Sequence, residues 1–340
     1  MKDGIIVLNK PQHWTSHDCV AVVRKATGVK RVGHGGTLDP MAEGVLPVFI
    51  GKAARIMEYL DADYKTYVCK VRLGVKTDTQ DIWGQLLAVG DTSAIGFEEV
   101  KAALLSFTGE IEQIPPKYSA LKINGKKLYE YAREGKDVEI KPRKIHVAHI
   151  KVLSEKLERA EKSGSAETEV SAGSMEFPGA AEAGGHVELT FEVKCSKGTY
   201  IRTICHDLGE KLGCGAAMAA LTRTKSGTFD LENALSPEEI KTMSEEDIFD
   251  TLIAADKPLV NLGIAGMESD RAAYFCRGNS IRWEQVTVEK APEDLGAYVN
   301  GKGIPFDRIY RVYDLGTEDF LGTGYYDDKE QVLKADKVFA

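Results

Sequence analysis

From Tyr67 to Leu73 the side chains Tyr67, Cys69, Val71 and Leu73 alternate with Val68, Lys70 and Arg72, the period-two signature of a strand with one buried face. Val187, Leu189, Phe191, Val193 and Cys195 repeat the pattern, with Glu188, Thr190, Glu192 and Lys194 between them. Gly4–Leu8 and Val45–Ile50 are apolar without alternation and read as short strands. Helical spacing marks other segments. Thr15-Ser16-His17-Asp18 offers a cap, and Cys19, Val20 and Val23 carry the helix to Gly28. Ile201, Cys205, Leu208 and Leu212 define a second helix that Gly213 closes. Ile56, Met57 and Leu60 suggest a short amphipathic helix.

Strands and helices mix without a regular βαβ alternation, which predicts an α+β fold with a mixed, mostly antiparallel central sheet and flanking helices. The 340 residues exceed what one hydrophobic core usually serves, so a large and a smaller domain are expected, residues 1–255 and 256–340. Beyond about residue 256 the texture changes to short strands and Gly/Asp turns, as in Tyr310–Tyr313 and Phe320–Gly322, which fits a small β domain. Residues 154–186 are rich in Glu, Ala, Gly and Ser without apolar period, and predict a flexible acidic insertion.

Charge changes the picture. The net charge of −8 argues against a generally basic coat for nucleic acid, yet residues 1–153 carry +5 and residues 231–340 carry −10. An anionic partner therefore meets the N-terminal half. The segment 114–144 alone holds nine Lys and Arg against four acids, interleaved with Tyr118, Tyr129 and Tyr131, a composition suited to RNA backbone and exposed bases or to a plain solvated helix face. The six cysteines form no Cys-x-x-Cys pair, and the histidines lack ligand spacing, so reduced thiols and no metal are expected. No apolar run reaches the roughly 18 residues a membrane span needs, and the opening residues lack a signal-peptide pattern. A cytoplasmic protein that avoids membranes is expected.

The most unusual stretch is Gly33-His34-Gly35-Gly36-Thr37-Leu38-Asp39-Pro40. Its glycines let backbone approach a ligand closely, and Pro40 restricts Asp39 to extended geometry. A carboxylate on such a turn suits a nucleophile or a general base. The same residues also suit a turn in which Asp39 caps a backbone N–H. A phosphate-binding P-loop fits less well, because the Gly-Lys-Ser/Thr ending is missing.

Gly33–Val48, reading GHGGTLDPMAEGVLPV, resembles the catalytic-aspartate motif of the TruB family of tRNA pseudouridine synthases. Four further blocks match in order: Tyr64–Tyr67, Gly74–Asp81, Gln113–Arg133 and Gly198–Gly209. The resemblance implies a pseudouridine synthase fold and isomerisation of the T-loop uridine of tRNA, position 55 in tRNA numbering. It implies Asp39 as nucleophile, Tyr67 stacked on the flipped base, and Arg202 paired with the aspartate. Tyr200 and Leu221 match pocket-wall positions, His34 the histidine set against the loop opened by flipping, and Gly35 its neighbour in the RNA-contacting glycine loop. An insertion over about 112–150, with Lys122, Lys126, Lys127 and Tyr129, is expected to grip the T-arm. Residues 256–340, with Tyr274–Ile281, resemble a PUA-like domain, although their −10 charge suits phosphates poorly. No cofactor, metal or obligatory protein partner is implied, and a monomer is expected. A guide-RNA-dependent synthase and a tRNA-folding chaperone stand as rivals. The basic block 113–133 favours the stand-alone form, and Asp39 with Tyr67 and Arg202 favours chemistry over folding alone.

Overall fold

In a computed structural model of the chain, residues 3–60, 62–159, 187–296 and 298–339 are described. The elements that frame the candidate site are strand β1 (Gly4–Lys10), helix α1 (Ser16–Thr27), strands β2 (Val32–His34), β3 (Glu43–Ile50), β4 (Lys65–Leu73), β5 (Gly109–Gln113), β6 (Arg143–Val152) and β7 (Val187–Cys195), helix α2 (Ile201–Leu212) and strand β8 (Ala216–Ser226). The chain divides into two compact units, residues 1–63 with 225–340, and residues 64–224.

Residues 64–224 build a sheet in the order β8–β4–β7–β6–β5. The pairs β4–β7, β7–β6 and β6–β5 are antiparallel. Alternation works as predicted. Tyr67, Cys69, Val71 and Leu73 of β4 and Val187 to Cys195 at every second position of β7 are buried. On the opposite face the cross-strand partners Arg72 and Glu188 form a forked ion pair, with Nε and Nη2 donating to Oε1 at 2.8 and 2.7 Å, and Lys70 Nζ lies 3.3 Å from Oε2. Helix α2 packs on β4, where the free thiols of Cys69 and Cys205 stand 3.6 Å apart. Gly213 ends α2 in the left-handed region, φ 73°, a conformation glycine adopts without steric cost. Of the acidic segment 154–186, Glu158–Arg159 pairs with β7, and residues 160–186 lie outside the described residues.

In the other unit β1 pairs antiparallel with β3, and β3 with β2. The unbroken apolar character of β1 and β3 has a direct cause: both faces are buried. Ile5, Val7, Val45 and Phe49 enter one core cluster with Ala53, Ile56, Tyr59 and Phe306, while Ile6, Leu8, Leu46, Val48 and Ile50 enter another with Cys19, Val20 and Val23 of α1 and with Ile240 and Ile248. Thr15 caps α1 in a capping box with Asp18, and Gly28 at φ 65° closes it. The segment expected as an amphipathic helix at Ile56, Met57 and Leu60 is a 3₁₀ helix, Gly51–Leu60. Its buried residues are Ala53, Ile56 and Tyr59, spaced by three, which is the repeat of that tighter helix.

The C-terminal β region is a six-stranded sheet, in the order Ile281–Arg282, Val332–Val338, Phe320–Asp327, Ile309–Asp314, Gly263–Met267, Thr287–Lys290. One pair, Gly263–Met267 with Ile309–Asp314, is parallel. The sheet is tied to the 3₁₀ helix by a polar cluster. Tyr59 Oη donates to Asp336 and lies 2.8 Å from Thr323 Oγ1, and Lys302 Nζ lies 2.7 Å from the same carboxylate. Lys52 and Arg55 donate to the carbonyls of Phe339 and Val338 at 2.7 Å each.

Candidate active site

The glycine loop grows out of a sheet edge. His34 of β2 faces Val48 of β3, and the Gly35 N–H donates to the Pro47 carbonyl at 2.8 Å. Gly35 is required here by space. A Cβ on it would stand 2.8 Å from Cε2 of Phe49, a fully buried ring. Gly36 then takes φ 100°, where a side chain is strained.

Asp39 is fixed by pins on both neighbours. On one side, Leu38 donates its N–H to Ser16 Oγ at 3.0 Å, and the same hydroxyl donates to the Leu38 carbonyl at 3.2 Å. On the other, the Pro40 carbonyl accepts from the His13 N–H at 2.8 Å and from Lys10 Nζ at 3.2 Å. Lys10 is 0% exposed, and its ammonium also donates to the carbonyls of Pro11 at 2.8 Å and Trp14 at 2.6 Å. A buried cation costs several kcal/mol unless its protons are satisfied, and three carbonyls satisfy them. The Asp39 carbonyl accepts from the Ala42 N–H at 3.0 Å. The carboxylate thus sits half-buried on a backbone that has little freedom to move. The rings of His34 and His17 meet edge to face, with centroids 5.3 Å apart.

The unit of residues 64–224 holds a second group of predicted residues. Arg202, in the first turn of α2, is 5% exposed. It donates to the carbonyls of Thr79 and Tyr118 at 3.0 Å each and lies 3.6 Å from Asp81 Oδ2. Tyr200 is the residue before the helix, and Gln113 clamps it twice: the Tyr200 N–H donates to Oε1 at 2.8 Å, and Nε2 donates to the Tyr200 carbonyl at 3.0 Å. Tyr67 on β4 and Leu221 on β8 are buried. Arg202 and Tyr200 are therefore brought together through the 79–81 turn and the 113–118 segment.

The predicted RNA-gripping residues form a separate piece of the same unit. Lys122–Ile123 and Lys126–Lys127 pair as a hairpin through Asn124 and Gly125, both at positive φ. Helix Leu128–Arg133 follows. Lys126 lies over the Tyr131 ring at 4.8 Å and is ion-paired with Glu134, while Lys127 and Arg133 lie over Tyr129 at 5.4 and 5.3 Å. Lys122 is exposed and makes no ion pair among the described residues.

Four residues that position the site escaped the sequence reading. Lys10 and Ser16 hold the Asp39 turn, and Asp81 and Gln113 hold the Arg202 segment. Lys10 left one signal, a lone lysine just past the apolar run Gly4–Leu8. Asp81 sits in the matched block Gly74–Asp81, but nothing there separates it from Asp78.

Residues 24–175 match the family model described as the TruB family pseudouridylate synthase N-terminal domain, and residues 202–259 match the tRNA pseudouridylate synthase B C-terminal domain. A curated tRNA pseudouridine synthase B from Clostridioides difficile (strain 630) is 37% identical over 98% of this chain and 99% of its own length. The chain belongs to the TruB family of pseudouridylate synthases. The TruB-family protein of the same description from Geobacillus thermodenitrificans is 43% identical over 74% of this chain and 76% of that one. A crystal structure of an archaeal box H/ACA sRNP complex holds a chain of the same fold, with a TM-score of 0.65 at 22% identity, covering 100% of this chain and 86% of that chain. TruB membership makes the protein an isomerase, a pseudouridine synthase. Its mostly antiparallel sheet, flanking helices and C-terminal β region agree with the fold expected from the sequence. No helix among the described residues is long and apolar enough to cross a membrane.

Proposed function

We propose that the protein isomerises uridine to pseudouridine in the T-loop of tRNA, at position 55, with Asp39 as the nucleophile. The observation that carries this reading is the Asp39 turn, held by Ser16 at Leu38 and by Lys10 and His13 at Pro40, within the segment that matches the family. The reaction breaks the N1–C1′ bond, turns the base, and forms a C5–C1′ bond. C5 loses a proton and N1 gains one, so nothing is oxidised and no group leaves. One well-placed carboxylate suffices, and pre-organisation of that carboxylate removes the reorganisation that would otherwise slow attack.

The uridine must leave its stack to reach the carboxylate. In this reading Tyr67 stacks on the flipped base, Tyr200 and Leu221 wall the pocket, and His34 and Gly35 face the RNA loop that flipping opens. In the same reading Arg202 is the arginine that the family resemblance assigns to the catalytic aspartate. Residues 1–255 carry the chemistry, about 112–150 grip the T-arm through Lys122, Lys126, Lys127 and Tyr129, and 256–340 form the PUA-like part. The enzyme works in the cytoplasm as a monomer, without cofactor, metal, guide RNA or protein partner. Incubation of the pure protein with an unmodified tRNA transcript, followed by pseudouridine mapping, tests this. Product confined to the T-loop is expected; no product there without a guide RNA refutes it.

A further inference from the structure

The twenty residues Cys19–Leu38 contain Arg24, Lys25, Lys30 and Arg31 and no acid. They belong to the acidic unit, in which 231–340 alone carry −10, so an uncompensated +4 within eight residues stands out. All four side chains are exposed, and none makes an ion pair among the described residues. In the insertion, Lys117, Lys126 and Lys136 are each neutralised by Asp137 or Glu134, whereas Lys122 makes no ion pair among the described residues, as these four make none. The acidic helices Pro237–Thr242 and Glu245–Asp250 do pack on α1, but at its buried face, where Ile240 and Ile248 meet Val20 and Val23.

Two of the four cations have an internal explanation. Arg24 and Lys25 occupy the last turn of α1, where a positive charge offsets the helix dipole, and Arg24 Nη2 donates to the Val32 carbonyl at 3.3 Å. Lys30 and Arg31 have none. They lie beyond the helix, after Gly28 reverses the chain at φ 65°, and Arg31 is held by backbone through its carbonyl, which accepts from the Gly51 N–H at 2.7 Å. The strand that follows at once is β2, which delivers Gly33, His34 and Gly35. A rigid connection thus presents unneutralised charge next to the loop proposed to face RNA.

We infer that Lys30 and Arg31, extended by Arg24 and Lys25, form a phosphate-gripping rim for the RNA strand on the His34 side of the loop. The inference rests on the tRNA reading above and adds a second backbone grip, on a different unit from the insertion. Exposed cations that contact phosphates release condensed counterions, so their loss is read in the salt dependence of binding. The test is tRNA affinity across a salt series for wild type, Lys30→Ala/Arg31→Ala, and the charge-keeping Lys30→Arg/Arg31→Lys. The alanine pair should lower the magnitude of the log K against log salt slope by about 1.4–1.8, two contacts at about 0.7–0.9 each. Its affinity deficit should shrink as salt rises, and the charge-keeping pair should track wild type. An alanine pair with wild-type slope overturns the rim while leaving the tRNA reading intact. An equal loss in both variants overturns it too, because shape rather than charge would then be responsible. Failure of wild type to bind or isomerise tRNA removes the reading on which the rim depends.

Discussion

Gly35→Ala is the smallest change that separates the folding of the glycine loop from its chemistry. The new Cβ would lie 2.8 Å from Phe49 Cε2, 3.4 Å from Cζ and 3.8 Å from Pro47 Cβ. A contact below about 3 Å must be relieved, and Phe49 is ill placed to yield. Its ring is fully buried in the cluster with Val7, Val45 and Ile56 and meets Phe229 edge to face. The loop must therefore move. Overpacking of this kind costs about 1–3 kcal/mol of stability, and a displacement approaching 1 Å at a reacting group lowers turnover on the order of 100-fold. Gly33→Ala is the matched control, because its Cβ would meet only Met57 Cε, at an ordinary 3.6 Å. Single-turnover pseudouridine formation and urea unfolding of both variants give the readout. Gly35→Ala should lose turnover far beyond its loss of tRNA affinity, Gly33→Ala should stay within about threefold of wild type, a difference under 1 kcal/mol, and Phe49→Leu should partly rescue Gly35→Ala. Equal behaviour of the two alanine variants would refute the steric argument.

Other expectations follow from the same geometry. Burial pushes the Glu188 carboxyl up, but Arg72 and Lys70 outweigh it and hold it below the usual carboxylate range. Its stabilisation is complete above the ordinary value of about 4.3 and is lost as pH falls through the lowered folded value. Glu188→Gln should cost about 1–3 kcal/mol in urea unfolding at neutral pH, and the gap to wild type should narrow as pH falls below the ordinary carboxylate value; a gap independent of pH would contradict the pairing. Lys122→Ala should lower the salt slope of tRNA binding by about 0.7–0.9, and Lys126→Ala by less, since Glu134 already neutralises it. The reverse order would show that the Lys126 ion pair opens on RNA. Protein treated with EDTA should isomerise folded tRNA at the untreated rate, and activity recovered only with added zinc would contradict a carboxylate working alone.

Local rules made much of the fold legible. β4 and β7 follow from alternation, and the ends of α1 and α2 follow from the Thr15 cap and from Gly28 and Gly213. The continuous apolar runs of β1 and β3 also announced strands, although only the structure shows that each divides its side chains between two cores. The 3₁₀ form of Gly51–Leu60 was hidden, because Ile56, Met57 and Leu60 fit a helical period, whereas the three-residue repeat runs through Ala53, Ile56 and Tyr59. Hydrogen bonds between distant segments left little trace. Ser16 reaches Leu38 across 22 positions, and Gln113 reaches Tyr200 across 87. Pairing of side chains is equally invisible in composition, so Lys126 reads as a free cation until Glu134 is found beside it. Asp39 stood out for a different reason: its place between a glycine loop and a proline suits a nucleophile or a capping turn alike, and the resemblance to the TruB motif is what favours the nucleophile.

The central claim is that Asp39 performs the chemistry on a turn that stays folded without its charge. Asp39→Asn preserves size and removes the nucleophile. Single-turnover pseudouridine formation, measured beside tRNA affinity and thermal unfolding, tests it most directly. The account predicts no product from Asp39→Asn, with affinity within about tenfold of wild type, or 1.4 kcal/mol, and an unchanged unfolding transition. Appreciable T-loop pseudouridine from that variant would contradict it.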